Sequence, residues 1–532
     1  MEEKKEHRVL VSDPVSEEGI KLLRSVAQVD VLPDLSPQEI IDIIGDYDVL
    51  LVRSGTQVTA EIIEAGKKLK VIGRAGVGVD NIDVPKATEQ GILVINAPGG
   101  NTISAAEHTM AMMLSLARNV PQASSSLREG QWKRSKFMGL ELFKKNLGII
   151  GLGRIGSEVA KRARAFGMNI LAYDPYISAE RAEKLGVSSV SLDELFAKSD
   201  FITLHVPKTS ATQHIIGKAE LEQMKDGVRI INCARGGLID EDALNQALLS
   251  GKVAGAALDV FENEPPGDSA LLKLDQVIAT PHLGASTQEA QVNVAVQVAE
   301  EIIHFLNDEP LHMAVNVPLL PPDVLSEVTP FIPLMKIMGS FYMQVFDGRV
   351  EMIEITYSGE IAKYPVTSLT TALLMGFLRV MMNSNVNFVN APLLAKQRGI
   401  KVKENTSTDA SIFHNLIKVK VKTGEGVFTI AGTLFEGSDV RIVQIDDYRI
   451  EVSPSRYMLV CKYIDKPGII GKVGTLLGDN DINIASMQVG RREIGGESVM
   501  VLQVDNHVSN EILRKLEKVE HVLSSNFVEI HQ

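Results

Sequence analysis

Cysteine is scarce in this sequence. Only Cys233 and Cys461 occur among the 532 residues. Two thiols so far apart predict a protein of a reducing compartment, the cytoplasm, without a disulfide framework. No group of Cys and His residues has the spacing of a zinc site, so the sequence predicts no metal.

Long apolar runs and an excess of positive charge are also missing. No uninterrupted apolar stretch reaches the roughly 18 residues of a membrane span. The charged start, MEEKKEH, lacks the apolar core of a signal peptide. The net charge of -13 argues against a general binder of nucleic acid or of a membrane surface. A small anionic substrate is not excluded, because it needs only a local cluster of Arg and Lys.

Short apolar runs that alternate with helices dominate the sequence. A chain of 532 residues is too long for a single core, so we expect several domains. The alternation predicts an α/β protein with two doubly wound parallel-sheet domains, then a mixed α/β domain and a small domain of βαββαβ order. The predicted ranges are 1–98 with 288–317, 99–287, 318–453 and 454–532. Helices predicted over 102–118 and from about Thr287 to Leu306 join the first two domains.

A glycine-rich turn follows the first predicted strand of the second domain. In NLGIIGLGRIG, Gly151, Gly153 and Gly156 have the spacing of a dinucleotide-binding turn, where a pyrophosphate rests on the next helix N-terminus. Asp174 ends the following strand, 18 residues after Gly156, where a carboxylate accepts the ribose hydroxyls. No adjacent Arg is present to take a 2′-phosphate, so the pattern favours NAD over NADP. A purely structural turn with a solvated acid is the alternative.

Three polar residues follow later strands of the same domain. Arg235 follows VRIINCA, Glu264 lies in FENEPP, and His282 lies in ATPHLGA. Because ligands bind outside the carboxyl ends of parallel strands, we expect all three to face one crevice. Each has an alternative interpretation. Arg235 would pair with a structural acid, Glu264 would be a solvated loop acid, and His282 would cap a helix.

The stretches GLGRIG, NCARGGLIDEDAL, ALDVFENEPP and TPHLGAST resemble the D-2-hydroxyacid dehydrogenase family, over roughly residues 8–316. The resemblance implies a substrate-binding first domain and an NAD-binding second domain. It also implies that Arg235 binds the substrate carboxylate, that His282 is the acid/base and that Glu264 pairs with His282. The chemistry agrees, because a histidine of pKa about 6.5 suits proton exchange with a hydroxyl. A planar guanidinium matches a planar carboxylate.

Cofactor contacts are predicted along the same edge of the second domain, with one residue from the first. They are Val77, Gly151, Gly153, Arg154, Ile155, Gly156, Asp174, Val206, Pro207, Cys233, Ala234, Arg235, Asp259, His282, Gly284 and Ala285. We expect Cys233 to line the nicotinamide pocket rather than to act as a nucleophile. His108 is expected to pack a helix.

Further cationic residues of the first half predict a substrate with a second anionic group, such as phosphate. The predicted substrate contacts are Arg53, Ser54, Arg74, Gly76, Val77, Arg134 and Lys136. A solvated basic loop is the alternative for residues 133–136. Within the family, the chain is most similar to members that oxidise 3-phosphoglycerate at the start of L-serine synthesis. Another 2-hydroxyacid dehydrogenase, a glyoxylate-type reductase, and a non-enzymatic NAD-binding corepressor are the alternatives.

The C-terminal part carries two further resemblances. Residues 455–532, with YMLVCKYIDKPGIIGKVGTLLGDNDINIASMQVGR, resemble an ACT domain, a sensor of small molecules. YSGEIA and the overall length make residues 319–453 similar to an intervening domain of the same enzymes. The ACT resemblance implies an L-serine effector site at Tyr463, Asp465 and Asn483, with a merely structural module as the alternative. We also expect a homo-oligomer, dimer or tetramer, with helix 102–118 and the region of Trp132 as a candidate interface.

Overall fold

Short buried strands alternate with helices through the first three hundred residues of the computed structural model. The structure describes residues 6–382, 385–410 and 412–530. Residues 1–5, within the start where no signal peptide is predicted, lie outside these ranges. Across the described ranges, every helix is too short or too polar to traverse a lipid bilayer.

The first sheet has five parallel strands in the order β2-β1-β3-β4-β5. The strands are β1 (His7–Val11), β2 (Ala27–Val31), β3 (Val49–Val52), β4 (Val71–Arg74) and β5 (Leu93–Asn96). The helices between them are α1 (Glu17–Val26), α2 (Pro37–Ile43), α3 (Ala60–Ala65) and α4 (Val84–Glu89). Successive residues such as Val9 and Leu10 are buried on opposite faces, which explains the continuous apolar runs. Ser16 precedes α1 as expected, but its hydroxyl bonds to the Glu18 side chain instead of capping the backbone.

The second sheet has seven strands, paired in parallel, in the order β12-β11-β10-β9-β6-β7-β8. Its strands are β6 (Asn146–Ile150), β7 (Asn169–Tyr173), β8 (Ser188–Ser189), β9 (Phe201–Leu204), β10 (Val228–Asn232), β11 (Val253–Leu258) and β12 (Val277–Ala279). The helices are α5 (Thr102–Arg118), α6 (Val120–Arg128), α7 (Arg154–Ala165), α8 (Ala179–Leu185), α9 (Leu192–Lys198), α10 (Lys218–Gln223), α11 (Glu241–Leu249) and α12 (Gln288–Leu306).

The strand order reverses between β6 and β9, because the chain moves outward to β8 and then returns to the other side of β6. Such a switch point leaves a crevice at the carboxyl ends of the strands, where ligands bind in doubly wound sheets. The predicted linking helices are confirmed as α5 and α12. Helix α12 returns to the first sheet and packs against it together with α1.

The third sheet has six strands in the order β14-β13-β15-β16-β17-β18; β13 and β14 are parallel and the other pairs antiparallel. Its strands are β13 (Val350–Gly359), β14 (Lys401–Ser407), β15 (Asn415–Thr423), β16 (Gly426–Phe435), β17 (Asp439–Ile445) and β18 (Tyr448–Val452). The helices are α13 (Leu325–Val328), α14 (Phe331–Val345), α15 (Thr367–Met381) and α16 (Ala391–Gln397). Short 3-10 turns occur at Ile44–Asp46, Arg134–Phe137, Ala270–Lys273, Pro322–Val324 and Glu360–Lys363.

The fourth sheet is antiparallel, in the order β20-β21-β19-β22. Its elements are β19 (Tyr457–Ile464), α17 (Ile469–Gly478), β20 (Ile484–Arg491), β21 (Glu497–Val504), α18 (Asn510–Glu517) and β22 (Val522–Glu529). The βαββαβ order and the fold class predicted from the sequence are therefore confirmed. Each of the four predicted ranges contains one sheet, while the exact domain boundaries stay a prediction.

Candidate active site

The glycine-rich turn connects β6 to α7 at the switch point of the second sheet. Gly151 has a φ of +96°, which strongly favours glycine, and a Cβ there would meet the His205 carbonyl and Val206. A Cβ on Gly156 would overlap the carbonyl oxygen of Gly151. Around Gly153, by contrast, a Cβ would meet nothing within 4 Å. The turn therefore leaves an open cradle at the N-terminus of α7, of the kind a pyrophosphate fills.

Asp174 ends the strand beside this turn. Its carboxylate accepts hydrogen bonds from the backbone N–H of Leu152 at 2.8 Å and of Tyr176 at 2.9 Å. The acid is half-buried and lies against the glycine-rich turn, as a ribose acceptor must. The turn, the cradle and this acid together fit a dinucleotide.

The other predicted cofactor residues follow strands of the same sheet. Arg154 and Ile155 begin α7. Val206 and Pro207 follow β9, Cys233 and Ala234 follow β10, and Gly284 and Ala285 lie in the loop after β12. Val77 comes from the first domain, in the loop after β4. Cys233 is buried against α5, and burial raises the pKa of its thiol to about 12, which makes it unsuited to be a nucleophile.

His282 and Glu264 form a close pair at the same edge. Nδ1 of His282 lies 2.7 Å from Oε2 of Glu264, and the other oxygen of Glu264 accepts the N–H of Phe261 at 3.1 Å. Within the described residues Nε2 of His282 makes no hydrogen bond, so this nitrogen is free to meet a ligand. His282 also has a φ of +55°, a costly conformation for a non-glycine residue and one that recurs at functional sites.

The pair shifts the pKa of both groups. The hydrogen bond and charge of Glu264 raise the pKa of His282 above its ordinary value, although burial opposes this. Burial alone would raise the pKa of Glu264, but the hydrogen bond to His282 outweighs it, and that pKa is lowered. Glu264 is therefore ionised at neutral pH, and it stabilises the imidazolium form of His282.

Asp259 supports the loop that carries His282. Its buried carboxylate accepts the Thr280 hydroxyl at 2.6 Å and the N–H groups of Leu283 at 2.7 Å and Gly284 at 2.9 Å. His108 of α5 lies 3.1 Å from the same carboxylate, so it does more than pack a helix. Asp259 therefore orders the loop that carries His282, and its role as a cofactor contact stays a prediction.

Arg235 lies just beyond β10 in a turn shaped by Asn232. The Asn232 side chain donates to the Arg235 carbonyl at 2.9 Å and accepts the N–H of Ala234 at 3.0 Å. Nε of Arg235 bonds to Asp80 of the first domain at 3.0 Å, which links the two domains and fixes the plane of the guanidinium. Sequence reasoning missed Asp80. Its only signal is an acid directly after the GVGV loop.

One pocket of about 470 Å³ lies between the first two domains, and Arg235, Glu264 and His282 all line it. It is also lined by five of the predicted substrate residues: Arg53, Ser54, Arg74, Gly76 and Val77. Arg74 forms no ion pair within the described part of the chain. Burial, helped by the charge of Arg235, lowers its pKa to about 10, so it stays cationic at neutral pH. The pocket therefore holds a cation without an ion-pair partner among the described residues, beside a histidine–carboxylate pair.

Arg134 and Lys136 are not brought to this pocket. They lie in an exposed 3-10 turn, where Nζ of Lys136 is 3.9 Å from Asp275. Within one chain the structure favours the solvated-loop alternative for these two residues, because both are exposed and neither lines the pocket.

The three predicted effector residues are also not brought together. Because β20 is antiparallel to β21, and β21 to β19, β20 runs in the same direction as β19. Asn483, just before β20, therefore lies at the edge of the sheet where β19 begins, and its side chain donates to Asp505 at 2.7 Å. Asp465 lies at the other end of the sheet, 3.5 Å from Arg491. The expectation that Asn483 approaches the Asp465 loop within one domain is wrong, and Tyr463 is buried in the core.

Family models match the regions of the second, third and fourth sheets. Residues 110–284 match the NAD-binding domain of D-isomer specific 2-hydroxyacid dehydrogenases. Residues 327–446 match the D-3-phosphoglycerate dehydrogenase intervening domain, and residues 457–521 match the ACT domain. The second sheet is therefore an NAD-binding domain, in agreement with the open cradle at Gly153.

Similar proteins match almost the entire chain. A D-3-phosphoglycerate dehydrogenase from Methanocaldococcus jannaschii is 50% identical over 97% of this chain and 98% of its own length. One from Bacillus subtilis is 46% identical over 98% of this chain and 99% of its own length.

Solved structures match a little more than half of the chain. A D-lactate dehydrogenase from Aquifex aeolicus, complexed with NAD and lactic acid, is 32% identical with a TM-score of 0.52, over 57% of this chain and 96% of its own. A glyoxylate reductase from Paecilomyes thermophila is 35% identical with a TM-score of 0.54, over 58% of this chain and 98% of its own. These enzymes are covered almost completely, whereas about two fifths of this chain lie outside each match.

Proposed function

This chain belongs to the D-3-phosphoglycerate dehydrogenases of the D-2-hydroxyacid dehydrogenase family, and on that premise we propose how it works. It oxidises D-3-phosphoglycerate at C2 to 3-phosphohydroxypyruvate with NAD, the first step of L-serine biosynthesis. The observation that carries this proposal is the pocket that Arg74 and Arg235 line together with the His282–Glu264 pair.

His282 is the general base of the proposed reaction. Nδ1 is held by Glu264, so Nε2 accepts the proton of the C2 hydroxyl while the C–H electron pair leaves as hydride. NAD, when bound, supplies the hydride acceptor. Glu264 stabilises the imidazolium that forms and holds the ring in place. The hydroxyl oxygen loses the proton and C2 loses the hydride, which leaves a C=O bond at C2 and gives the 2-oxo acid.

Different arginines bind the two anionic groups of the substrate, its carboxylate and its phosphate. Arg235 binds the carboxylate through its remaining N–H groups, because Nε already donates to Asp80 at 3.0 Å and Nη1 to the Ala234 carbonyl at 2.7 Å. Arg53 and Arg74 bind the phosphate from the first domain. A smaller substrate such as glyoxylate or lactate needs only one of these positions. The full-length likeness to D-3-phosphoglycerate dehydrogenases therefore favours the phosphorylated substrate over both the reductase and the corepressor alternatives.

The test measures NADH formation with 3-phosphoglycerate and, in parallel, with D-glycerate. We expect the phosphorylated acid to be preferred, and Arg74→Gln to remove most of that preference by raising KM for 3-phosphoglycerate alone.

His282→Gln should lower turnover by about 10²–10⁴-fold while NAD still binds. His214→Gln is the matched control, because that histidine also lies 3.0 Å from a glutamate, Glu262, but outside the pocket. Normal turnover of His282→Gln would exclude it as the base.

L-serine is the proposed effector of the ACT domain. Asp465 and the N-terminus of α17 suit the ammonium and carboxylate of an amino acid. Asn483 is at the far end of the same domain, so it reaches this site only from a second copy of the chain. The proposal therefore requires a homo-oligomer.

The proposed effector site is tested by measuring how L-serine lowers the initial rate of NADH formation. We expect Asp465→Asn and Asn483→Ala each to weaken it, and Asp479→Asn, at the C-terminal end of α17, to leave it unchanged. Mixed oligomers of the Asp465→Asn and Asn483→Ala chains should regain part of the inhibition, because one of their sites is intact. An active full-length enzyme that ignores serine would contradict the proposal.

A further inference from the structure

A cluster of two histidines and a glutamate lies at the C-terminal end of α12, in the first domain. Glu301 and His304 are one turn apart on the helix, and His312 lies on the segment that follows it. One possible ligand atom from each residue lies within 4.8 Å of the others. None of the three lines the pocket described above.

Glu301 is the centre of the cluster. It is 1% exposed, an unusual position for a carboxylate. Oε1 accepts the backbone N–H groups of His312 and Met313, the latter at 2.7 Å. Oε2 makes no hydrogen bond within the described residues. Both imidazoles face this second oxygen, so a cation shared with them would compensate its charge.

The two imidazoles supply nitrogens at a distance that suits a shared ion. Nδ1 of His304 and Nδ1 of His312 each lie 3.8 Å from Oε2 of Glu301, too far for a hydrogen bond. Two ligands about 2.1 Å from one zinc ion lie about 3.4 Å apart at the tetrahedral angle. The two Oε2–Nδ1 distances therefore need to close by a few tenths of an ångström, and the imidazole nitrogens, at most 4.8 Å apart, must also approach each other around the ion.

Two further observations point to a bound ligand. Nδ1 of His304 is buried and has no hydrogen-bond partner in the described structure, although it faces Glu301. The opposite nitrogen, Nε2, faces Glu309 at 3.7 Å, an ion-pair distance from which a small shift would let this carboxylate orient the ring, as carboxylates do behind ligating histidines.

We propose that Glu301, His304 and His312 form a binding site for a divalent transition metal ion of the zinc class. Two imidazole nitrogens and one carboxylate oxygen are borderline ligands that suit Zn²⁺ or Co²⁺ and not Mg²⁺ or Ca²⁺. The fourth position is open to water. The ion joins the end of α12 to the following segment, whose Val315 N–H bonds to the Val94 carbonyl of β5 at 2.8 Å. The site therefore fastens this segment to the first sheet.

Calorimetry on the full chain, stripped with a chelator, tests the site with Zn²⁺ alone. We expect one tight ion per chain, a rise in the unfolding midpoint on addition of Zn²⁺, and no comparable effect of Mg²⁺. Co²⁺ should give the visible absorption of a four-coordinate ion. A chain that binds no Zn²⁺ at micromolar concentration would overturn the proposal and leave the cluster as a histidine–carboxylate ion pair.

Single substitutions distinguish Zn²⁺ binding at the Glu301 cluster from Zn²⁺ binding elsewhere on the chain. His304→Ala and His312→Ala should weaken Zn²⁺ by more than about 100-fold, because even partners behind a ligand contribute about 10–100-fold. Both positions are partly exposed, so these chains should fold, which an unchanged midpoint without metal would verify. Glu300→Gln, the exposed neighbour of Glu301, and His507→Ala are the matched controls. Equal loss of binding in a control and in His304→Ala would also overturn the site.

Discussion

At the scale of the residue, the Glu264–His282 contact sets the pH at which the enzyme works. His282 must be neutral to accept a proton, and Glu264 raises its pKa. The acid limb of kcat/KM for oxidation should therefore lie above the ordinary histidine pKa of about 6.5. In Glu264→Gln the imidazolium loses this stabilisation, so the limb should move to lower pH and turnover should fall about tenfold or more. The measurement is the pH dependence of kcat/KM at saturating NAD.

Glu262→Gln is the control for that substitution. Glu262 lies two residues away in the same loop but pairs with His214 instead of His282. Its pH profile should match that of the parent chain. The amide of Glu264→Gln can still accept the Phe261 N–H, so loss of loop structure does not account for the shift. An acid limb that stays in place would mean that Glu264 does not control the proton affinity of His282.

The residues that sequence reasoning found, and those it missed, differ in where they lie. Arg235, Glu264 and His282 each follow a strand of one parallel sheet, so the sheet itself brings them to one edge. Asp80 belongs to the other domain, and its contact with Arg235 depends on how the two domains meet. The Glu301 cluster joins a helix to an irregular segment, and its E-x-x-H spacing is too common to identify a site alone. Arg134 and Lys136 show that cationic residues alone do not locate a pocket.

At the scale of the element, the glycine-rich turn separates cofactor binding from stability. Gly153→Ala should fold normally, since its Cβ meets nothing within 4 Å, yet the methyl group occupies the pyrophosphate cradle. We expect NAD affinity to fall by at least about tenfold, or about 1.4 kcal/mol. Gly156→Ala should instead destabilise the domain by about 1–3 kcal/mol, because the new methyl overlaps the Gly151 carbonyl. Calorimetric titration with NAD and thermal unfolding of both variants measure the two effects. Equal losses of affinity in both, at unchanged stability, would contradict this division.

The sequence predicts the order of strands and helices in the last domain, but not which strands pair or in which direction they run. The βαββαβ order of the last domain could be predicted from alternating apolar residues and turn signals. The proximity of Asn483 to Asp465 could not, because it depends on pairing partners. With the order β20-β21-β19-β22, the two strands run the same way and their starts lie together. At about 3.4 Å per residue, the eight residues of β20 separate the two groups by more than 20 Å.

At the scale of the whole molecule, the third and fourth sheets share one hydrophobic core. Met458, Val460 and Val501 of the fourth sheet are buried in the same cluster as Leu334 and Phe341 of α14. The other face of that sheet is covered by α17 and α18. The Gln344 side chain also pairs with the backbone of Glu529 at 2.9 and 3.0 Å. One face of the ACT sheet is thus part of the core of the C-terminal half, so the ACT domain is not a detachable appendage.

This shared core predicts that residues 327–530 unfold as one unit. Met458→Ala, in the ACT sheet but facing α14, should lower the free energy of unfolding by about 2–5 kcal/mol, the cost of a cavity in a packed core. Hydrogen exchange should then speed up together in α14 and in β19, because one opening exposes both. Val489→Ala, on the exposed side of edge strand β20, is the control and should change stability little. Faster exchange confined to β19 and β21 would show that the ACT domain unfolds alone.

If the unit is shared, a chain that ends at residue 453 exposes α14 and is destabilised. Loss of serine inhibition in that chain would then say nothing about the effector site, which is why point variants and mixed oligomers are the decisive test.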